Sequence, residues 1–323
     1  MMRTPPAVAE DGEVDRRPNA KTQLQSAYYR AVRGQRIGYL FVAPAMLFLM
    51  AFTLYPLIQA FLMSLFEISN KGEFGQWIGA TNYLQLLSDV NFLQARGRSL
   101  KFAGLAAVGC LLVGGALAQL LNKSWLPGSV VNTLRGAAIL PWLFPISVAA
   151  LMWGLLLHRD GLLNVALEAL GIIQKPVMWV GNPDSALYSL VVVFVWRCAP
   201  FVMVMVLAAL KSIPQELYEA AQVDGATRWQ SYRLVTLPLI APVLLTLSIL
   251  CFVWGAGQFD LVKIVTGGGP MRATEVASYY IYRVGFLTVD WSYGSAISIA
   301  VFLVLLVAAV IYLLVSRRVR PWD

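Results

Sequence analysis

Six long apolar runs constrain this chain more than any other feature of its sequence. Each run has about the 20 residues that a helix needs to cross the hydrocarbon core of a bilayer. Because lipid offers no partner for a backbone amide, such runs form helices or a closed barrel, and their continuity favours helices. The sequence therefore predicts an all-α membrane protein with six transmembrane helices, at Tyr39–Leu65, Phe102–Leu121, Ala137–Leu157, Leu187–Leu210, Leu239–Val262 and Tyr293–Val315.

The composition excludes the soluble classes. Of the 323 residues, 59% are hydrophobic and 13% charged, whereas a soluble domain is about 45–50% apolar and about 25% charged. A water-soluble fold would lack the polar surface to cover itself. The cysteines, Cys110, Cys198 and Cys251, lie inside apolar runs without a CxxC pair. They are interpreted as small buried hydrophobic residues that carry no redox information.

Lysine and arginine residues predict the orientation. Fifteen of the 25 lie on the side of the two termini and nine on the opposite side, which by the positive-inside rule places both termini in the cytoplasm. The net charge of +8 is therefore attributed to membrane orientation and not to nucleic-acid binding. The predicted organisation is a partly disordered cytoplasmic tail over 1–36, a six-helix transmembrane domain over 37–316 and a cytoplasmic tail over 317–323. A short surface helix fits residues 24–32 equally well.

The one long loop on the predicted cytoplasmic side spans residues 211–238. Ser212 and Gln215 have the spacing of a capping box, which predicts a helix over Pro214–Val223. Gly225 tolerates the positive φ of a sharp turn. A second helix is expected to start near residue 226 and to stop at Pro238. Two short helices at an angle would form a knob on this face of the membrane.

The same loop resembles a known signature. Glu219-Ala220-Ala221, three residues, Gly225, nine residues and then Val235-Thr236-Leu237-Pro238 are similar to the EAA motif of membrane subunits of binding-protein-dependent ABC importers, with Val235 where that pattern has Ile. Further pieces resemble the carbohydrate branch of these importers, which includes maltose and glycerol-3-phosphate permeases. They are Gly79, Asn82-Tyr83, Trp196-Arg197, Pro200-Phe201, Ile213-Pro214, Phe259-Asp260, the segment 265–270 and Tyr279–Tyr282.

The resemblance implies a type I ABC importer permease fold and a role in importing a sugar or sugar-like solute. It implies that the knob docks on a cytoplasmic ATPase through Glu216, Glu219, Ala220, Ala221, Asp224 and Gly225. The implied partners are a second permease subunit, two copies of the ATPase and an extracytoplasmic solute-binding protein. The implied location is the cytoplasmic membrane of a bacterium or archaeon, as a multi-pass protein in contact with lipid and not with nucleic acid.

The sequence offers no chemistry of its own. It lacks the GxxxxGK[ST] pattern of a phosphate-binding loop, and the segment Gly267–Pro270 is interpreted as a tight turn. Its one histidine, His158, cannot make a metal site alone, and no catalytic grouping is evident. The chain is therefore expected to be no enzyme and to bind no metal or cofactor, with ATP and Mg used by the partner ATPase subunits.

Arg197 and a few aromatic residues are the candidates for a substrate pathway. A charge inside a span is costly and usually functional. Arg197 is placed to face the pathway, to pair with a partner subunit, to reach Asp260, or to satisfy backbone carbonyls at a broken helix near Pro200. The tryptophans of the third to fifth runs suit the apolar faces of a sugar, but they equally suit packing or an interface belt, and an interfacial position also fits Asp260. The tentative pathway set is Trp153, Trp196, Arg197, Trp254 and Asp260.

A stand-alone secondary transporter of small polar solutes is the alternative function. Such transporters often carry inverted repeats with broken helices, and no such repeat is evident in this sequence. A non-transporting membrane scaffold is a third reading, because it too would explain a prominent knob.

Overall fold

The computed structural model describes residues 35–69, 71–122 and 127–319. The predictions for the tail before residue 35, for Lys123 and for the last four residues lie outside this part. The chain divides into two units, residues 1–59 and 60–323, and the sites below all lie in the second unit. Its described residues are helical apart from irregular connections and one antiparallel pair of short strands.

The helices follow one another with short connections. In chain order they are α1 (Gln35–Leu49), α2 (Tyr55–Leu65), α3 (Thr81–Ser88), α4 (Val90–Asn122), α5 (Gly128–Leu143), α6 (Ile146–Leu156), α7 (Leu162–Ala169), α8 (Pro183–Lys211), α9 (Gln215–Val223), α10 (Arg228–Ser231), α11 (Leu237–Ala256), α12 (Asp260–Val265), α13 (Ala277–Tyr282) and α14 (Trp291–Val319). The strands are β1 (Phe66–Ile68) and β2 (Phe74–Trp77), and π-helical turns cover Met50–Leu54, Tyr232–Thr236 and Arg283–Leu287.

The predicted membrane helices are confirmed, with differences at the third and fifth spans. Five continuous apolar helices are long enough to span a bilayer: Phe41–Leu65, Val90–Asn122, Pro183–Lys211, Arg228–Ala256 and Trp291–Ser316. The third predicted span, Ala137–Leu157, is instead a pair of helices, α5 and α6, that meet at an angle of 95°. Pro145 explains the break, since it disfavours helical geometry at Phe144, and Phe144 is extended with ψ at 132°.

The core of the second unit lies where α4, α8 and α11 pack together. Small residues allow the helices to approach closely: a Cβ atom added at Gly114 on α4 would lie 2.6 Å from the Ala199 carbonyl oxygen and from the Val202 Cβ. A Cβ atom added at Gly255 on α11 would likewise lie 3.0 Å from the Ala103 Cα on α4. Contacts of this kind between membrane helices depend on small side chains.

The fifth span ends earlier than the apolar run predicts. Helix α11 stops at Ala256, Gly257 closes it, and the chain restarts as α12 at Asp260. The expectation of one span up to Val262 is therefore wrong. Gly257 accounts for the early end, because glycine favours a helix less than every other residue except proline.

Asp89 lies just before the membrane-spanning helix α4 and connects the start of that helix to α13 and α14. Its carboxylate accepts hydrogen bonds from the hydroxyls of Tyr280 at 2.5 Å and Tyr293 at 2.7 Å, and from the backbone amides of Asn91 and Phe92. Burial alone would raise the pKa of Asp89, but these hydrogen bonds outweigh it and lower the pKa below its ordinary value. The start of α4 is thereby fixed to α13 and α14.

Candidate functional site

The predicted knob is present between α8 and α11, but its first helix starts differently from the expectation. Pro214 occupies the N-cap position of α9 without a side-chain hydrogen bond, so the predicted capping box of Ser212 and Gln215 is wrong. Ser212 serves the preceding helix instead, because its hydroxyl donates to the Ala209 carbonyl at 2.9 Å. The helix itself, Gln215–Val223, agrees with the prediction within one residue.

The turn at Gly225 is confirmed. Its φ is +77°, a conformation that L side chains avoid. The amide of Asp224 donates to the Ala220 carbonyl at 3.0 Å and that of Ala226 to the Ala221 carbonyl at 2.9 Å. These bonds satisfy the carbonyl groups at the end of α9 and fix the direction in which the chain leaves the helix.

The second helix of the knob does not stop at Pro238. A true capping box starts α10: the Gln230 amide donates to Thr227 Oγ1 at 3.3 Å, and the Thr227 amide to Gln230 Oε1 at 2.8 Å. The chain then runs through the π-helical turn Tyr232–Thr236 into α11. This turn changes the hydrogen-bond register, and Pro238 falls in the first turn of α11, where a missing N–H is tolerated. The second helix of the knob and the fifth span are thus one helical segment, Arg228–Ala256.

A side-chain bond holds the knob to this segment. The hydroxyls of Tyr218 on α9 and Thr236 at the start of α11 lie 2.9 Å apart, and Thr236 is buried. Sequence reasoning missed Tyr218, which follows no motif. The predicted coupling residues Glu216, Glu219, Ala220, Asp224 and Gly225 are exposed and Ala221 is half-buried. At the tip, Val223 is 88% exposed, an unusual position for an apolar residue of a rigid turn.

Three of the five predicted pathway residues line one cavity of about 400 Å³. They are Arg197 on α8, Trp254 on α11 and Asp260 on α12. The remaining lining residues are Trp142, Ile146, Phe194, Cys198, Val253, Gly257, Gln258 and Phe259. The structure therefore brings together residues from five helices that are far apart in the sequence.

Arg197, on α8, contacts the broken third span. Its Nε donates to the Phe144 carbonyl at 3.1 Å, and its guanidinium lies 5.2 Å from the centroid of the Trp142 ring. One sequence alternative, an arginine that satisfies a carbonyl at a broken helix, therefore has the right chemistry, but the break lies at Phe144 and not near Pro200. Helix α8 continues through Pro200. Between the described side chains of Arg197 and Asp260 no ion pair forms.

The aromatic residues separate into two groups. Trp142, Phe201 and Trp254 form a mutual cluster with ring centroids 5.0, 5.3 and 5.4 Å apart. Trp153 and Trp196 pack edge to face on each other at 5.5 Å and do not line the cavity. Sequence reasoning missed Trp142, although the adjacent Pro141 and Pro145 signal an irregular helix there.

The glycine-rich segment forms the predicted tight turn. Gly267 and Gly268 have φ of +57° and +80°. The ring of Tyr279 packs against Gly268, where an added Cβ would lie only 2.7 Å from the Tyr279 Cε1. The Tyr279 ring therefore occupies the space beside the turn.

Comparisons with known proteins agree on one class. Residues 123–321 match the model of the family described as "Binding-protein-dependent transport system inner membrane component". The trehalose/maltose transport system permease protein MalF of Thermococcus litoralis is 34% identical over 88% of this chain and 95% of its own length. The sulfoquinovosyl glycerol transport system permease protein SmoG of Agrobacterium fabrum is 30% identical over 87% and 90%.

The fold is also similar to a solved structure. A chain of a bacterial ABC transporter involved in the import of the acidic polysaccharide alginate superposes with a TM-score of 0.76, at 25% identity, over 90% of this chain and 99% of the other. A second structure of a bacterial alginate transporter, in complex with a periplasmic protein bound to an alginate pentasaccharide, gives a TM-score of 0.75.

Proposed function

Since this chain belongs to the family of inner membrane components of binding-protein-dependent transport systems, we propose that it forms half of the path by which a sugar or sugar-like solute enters the cell. It is a multi-pass permease subunit, and ATP hydrolysis is the task of partner subunits. We propose as partners a second permease subunit, two copies of a cytoplasmic ATPase that uses ATP and Mg, and an extracytoplasmic solute-binding protein. We also propose that both termini lie in the cytoplasm, as the distribution of Lys and Arg predicts.

One observation carries the mechanism: the two helices that flank the knob also carry the cavity. Helix α8 bears Arg197 and leads into the knob at Lys211, about 20 Å further along at 1.5 Å per residue. Helix α11 leaves the knob at Leu237 and bears Trp254, about 25 Å away. A push on the knob therefore reaches the cavity through two continuous helices, without a flexible joint.

The knob is proposed as the contact with the ATPase. The exposed residues Glu216, Glu219, Ala220, Asp224 and Gly225 form its surface, and the small residues among them let a partner backbone approach closely. The bond between Tyr218 and Thr236 at 2.9 Å makes the pair of helices move with α11. Closure of the ATPase around ATP would then reposition α8 and α11 together, a rigid-body transition.

The cavity is proposed as a solute site. Its volume of about 400 Å³ lies within the range of small-molecule sites. The ring faces of Trp142 and Trp254 offer apolar surface to a sugar ring, and Arg197, Asp260 and Gln258 offer partners for hydroxyl groups. The one cationic and the one anionic side chain balance each other, which favours an uncharged saccharide over an acidic one.

Uptake by the reconstituted system tests this function. The chain is purified with its genomic partner subunits, inserted into liposomes and supplied with the binding protein and radiolabelled neutral or acidic saccharides. We expect uptake that requires both ATP and the binding protein, and that favours the neutral saccharide. Uptake by this chain alone, driven by an ion gradient, would establish a secondary transporter instead. Uptake of the acidic saccharide only would leave the importer intact and reject the proposed cavity chemistry.

A further inference from the structure

The three cysteines of the chain converge at one point of the core. Cys110 lies on α4, Cys198 on α8 and Cys251 on α11, and all three are buried. Their sulfur atoms all lie within 4.8 Å of one another, and those of Cys198 and Cys251 are 3.9 Å apart. From the sequence each cysteine was interpreted as an isolated hydrophobic residue. The packing of the three helices instead makes a cluster of soft ligands.

The spacing of the sulfur atoms suits a shared ion. Three thiolate-type ligands at about 2.3 Å from a central ion lie about 4.0 Å apart in a trigonal arrangement, close to the observed 3.9 Å between Cys198 and Cys251. A disulfide would require about 2.05 Å between two sulfur atoms. The cluster therefore needs little movement to hold an ion in its centre.

The donor set selects a soft monovalent ion. Soft sulfur ligands select Cu(I) or zinc among the common single metal ions, and Ag(I) shares the charge and softness of Cu(I). Zinc takes four ligands in structural sites, and among the described residues no His, Asp or Glu completes this group. The cost of charge also favours a monovalent ion, because an uncompensated charge in a membrane core is costly. When one monovalent ion binds, one S–H bond breaks and its proton leaves, the resulting thiolate bonds the ion, and the two remaining thiols each donate a sulfur lone pair to the same ion, so the net charge of the cluster does not change.

We propose that Cys110, Cys198 and Cys251 form a binding site for one soft monovalent cation, Cu(I) or Ag(I), and that occupancy inhibits transport. Cys198 also lines the solute cavity, which provides the route of entry and of proton release. A bound ion would join α4, α8 and α11. Because α8 and α11 carry both the knob and the cavity, joining them to α4 restrains the helices whose movement transport requires.

Silver titration of the assembled transporter in lipid nanodiscs tests the site. Silver nitrate is added to the complex, loosely bound ion is removed with a weak chelator, and bound silver is counted by mass spectrometry. The matched control carries Cys110→Ala, Cys198→Ala and Cys251→Ala with the same partner subunits, and these are the only cysteines of this chain. We expect one additional silver ion per copy of this chain in the wild type. Equal amounts in the two complexes would overturn the proposal.

A single variant tests the site even if the triple cysteine variant fails to assemble. Cys251→Ser is close to isosteric and leaves two sulfur atoms, so we expect it to assemble and to bind silver at least about tenfold more weakly, the order of loss that even a supporting group of a metal site causes. Transport by the wild type in liposomes should stop at one equivalent of silver, whereas that of Cys251→Ser should continue. Unchanged affinity in Cys251→Ser, or wild-type transport that tolerates full occupancy, would reject the site or its inhibitory role.

Discussion

The knob and the cavity are built by opposite means. The knob is one local segment, 211–238, fixed by backbone bonds around Gly225 and by side-chain bonds such as the one between Tyr218 and Thr236. The cavity depends on residues from five helices, and Arg197 reaches it only because the third span breaks at Phe144. A local element needs rigidity to transmit force, whereas a solute site needs convergent side chains. Their variants should therefore fail in different ways.

The largest effect is expected at Gly225. Gly225→Pro cannot adopt φ of +77°, since proline fixes φ near −65° at a cost of about 3 kcal/mol where this is incompatible. We expect normal membrane insertion, loss of transport by more than about 100-fold, and ATP hydrolysis that no longer responds to the loaded binding protein. Uptake and ATPase assays in liposomes measure both effects.

Gly171 provides the matched control for this variant. It has φ of +69° at the end of α7, and like Gly225 it has nothing within 4 Å of an added Cβ. Gly171→Pro should insert into the membrane and leave transport within a few-fold of the wild type. Equal damage from the two substitutions would mean that backbone strain alone, and not the position in the knob, abolishes transport.

Substitution of Arg197 should impair the cavity and leave the function of the knob intact. Arg197→Ala removes a charge-assisted bond to the Phe144 carbonyl, worth about 1.5–3 kcal/mol, and the contact with the Trp142 ring. We expect uptake to fall about 10- to 100-fold while ATP hydrolysis still responds to the binding protein. The exposed Arg159 serves as the control, with Arg159→Ala close to the wild type. A loss of ATPase response in Arg197→Ala would contradict the division between the two regions.

Asp89 should affect stability and neither of the two sites. Asp89→Asn removes a charge that accepts two hydroxyl bonds, so we expect the free energy of unfolding to fall by about 1–3 kcal/mol. Because the folded-state pKa of Asp89 is lowered, its contribution is complete above the unfolded pKa of about 3.9 and is lost as the pH falls through the lower folded value.

Unfolding measured between pH 8 and pH 3 checks the Asp89 prediction. The difference between wild type and Asp89→Asn should stay constant from pH 8 to about pH 5 and should narrow only below about pH 4. Asp160→Asn, at an exposed carboxylate, should change nothing. A difference that already disappears near neutral pH would mean that the pKa of Asp89 is raised and not lowered.

The smallest effect is expected at the contact that holds the knob. Tyr218→Phe and Thr236→Val each remove the same hydrogen bond, worth about 1 kcal/mol, and should weaken the coupling of ATP hydrolysis to uptake a few-fold. The double variant should be no worse than either single one, apart from small packing effects. Coupling is measured as the ratio of ATP hydrolysed to solute imported, which rises as coupling weakens. If the increases caused by the two single variants added up in the double variant, the two residues would act separately.

The sequence predicted the local features better than the convergent ones. Apolar runs revealed the spans, and the EAA-like spacing with Gly225 revealed the knob, because both follow from neighbouring residues. The cavity depends on the bend at Phe144, which turns Trp142 towards Trp254. Pro145 is the sequence signal for that bend, but the apolar run around it predicts one continuous span. The continuation of the helix past Pro238 was missed because a π-helical turn changes the register upstream.

Cross-linking from Val223→Cys tests the central claim, that the knob is a cytoplasmic contact for the ATPase. Val223 is 88% exposed at the tip, and the three native cysteines are buried, so an impermeant thiol reagent should find only the new residue. We predict no labelling from the outside of intact cells, labelling in inverted membrane vesicles, and cross-links to the ATPase subunit. Labelling from the outside, or no cross-link in an assembled and active complex, would contradict the account.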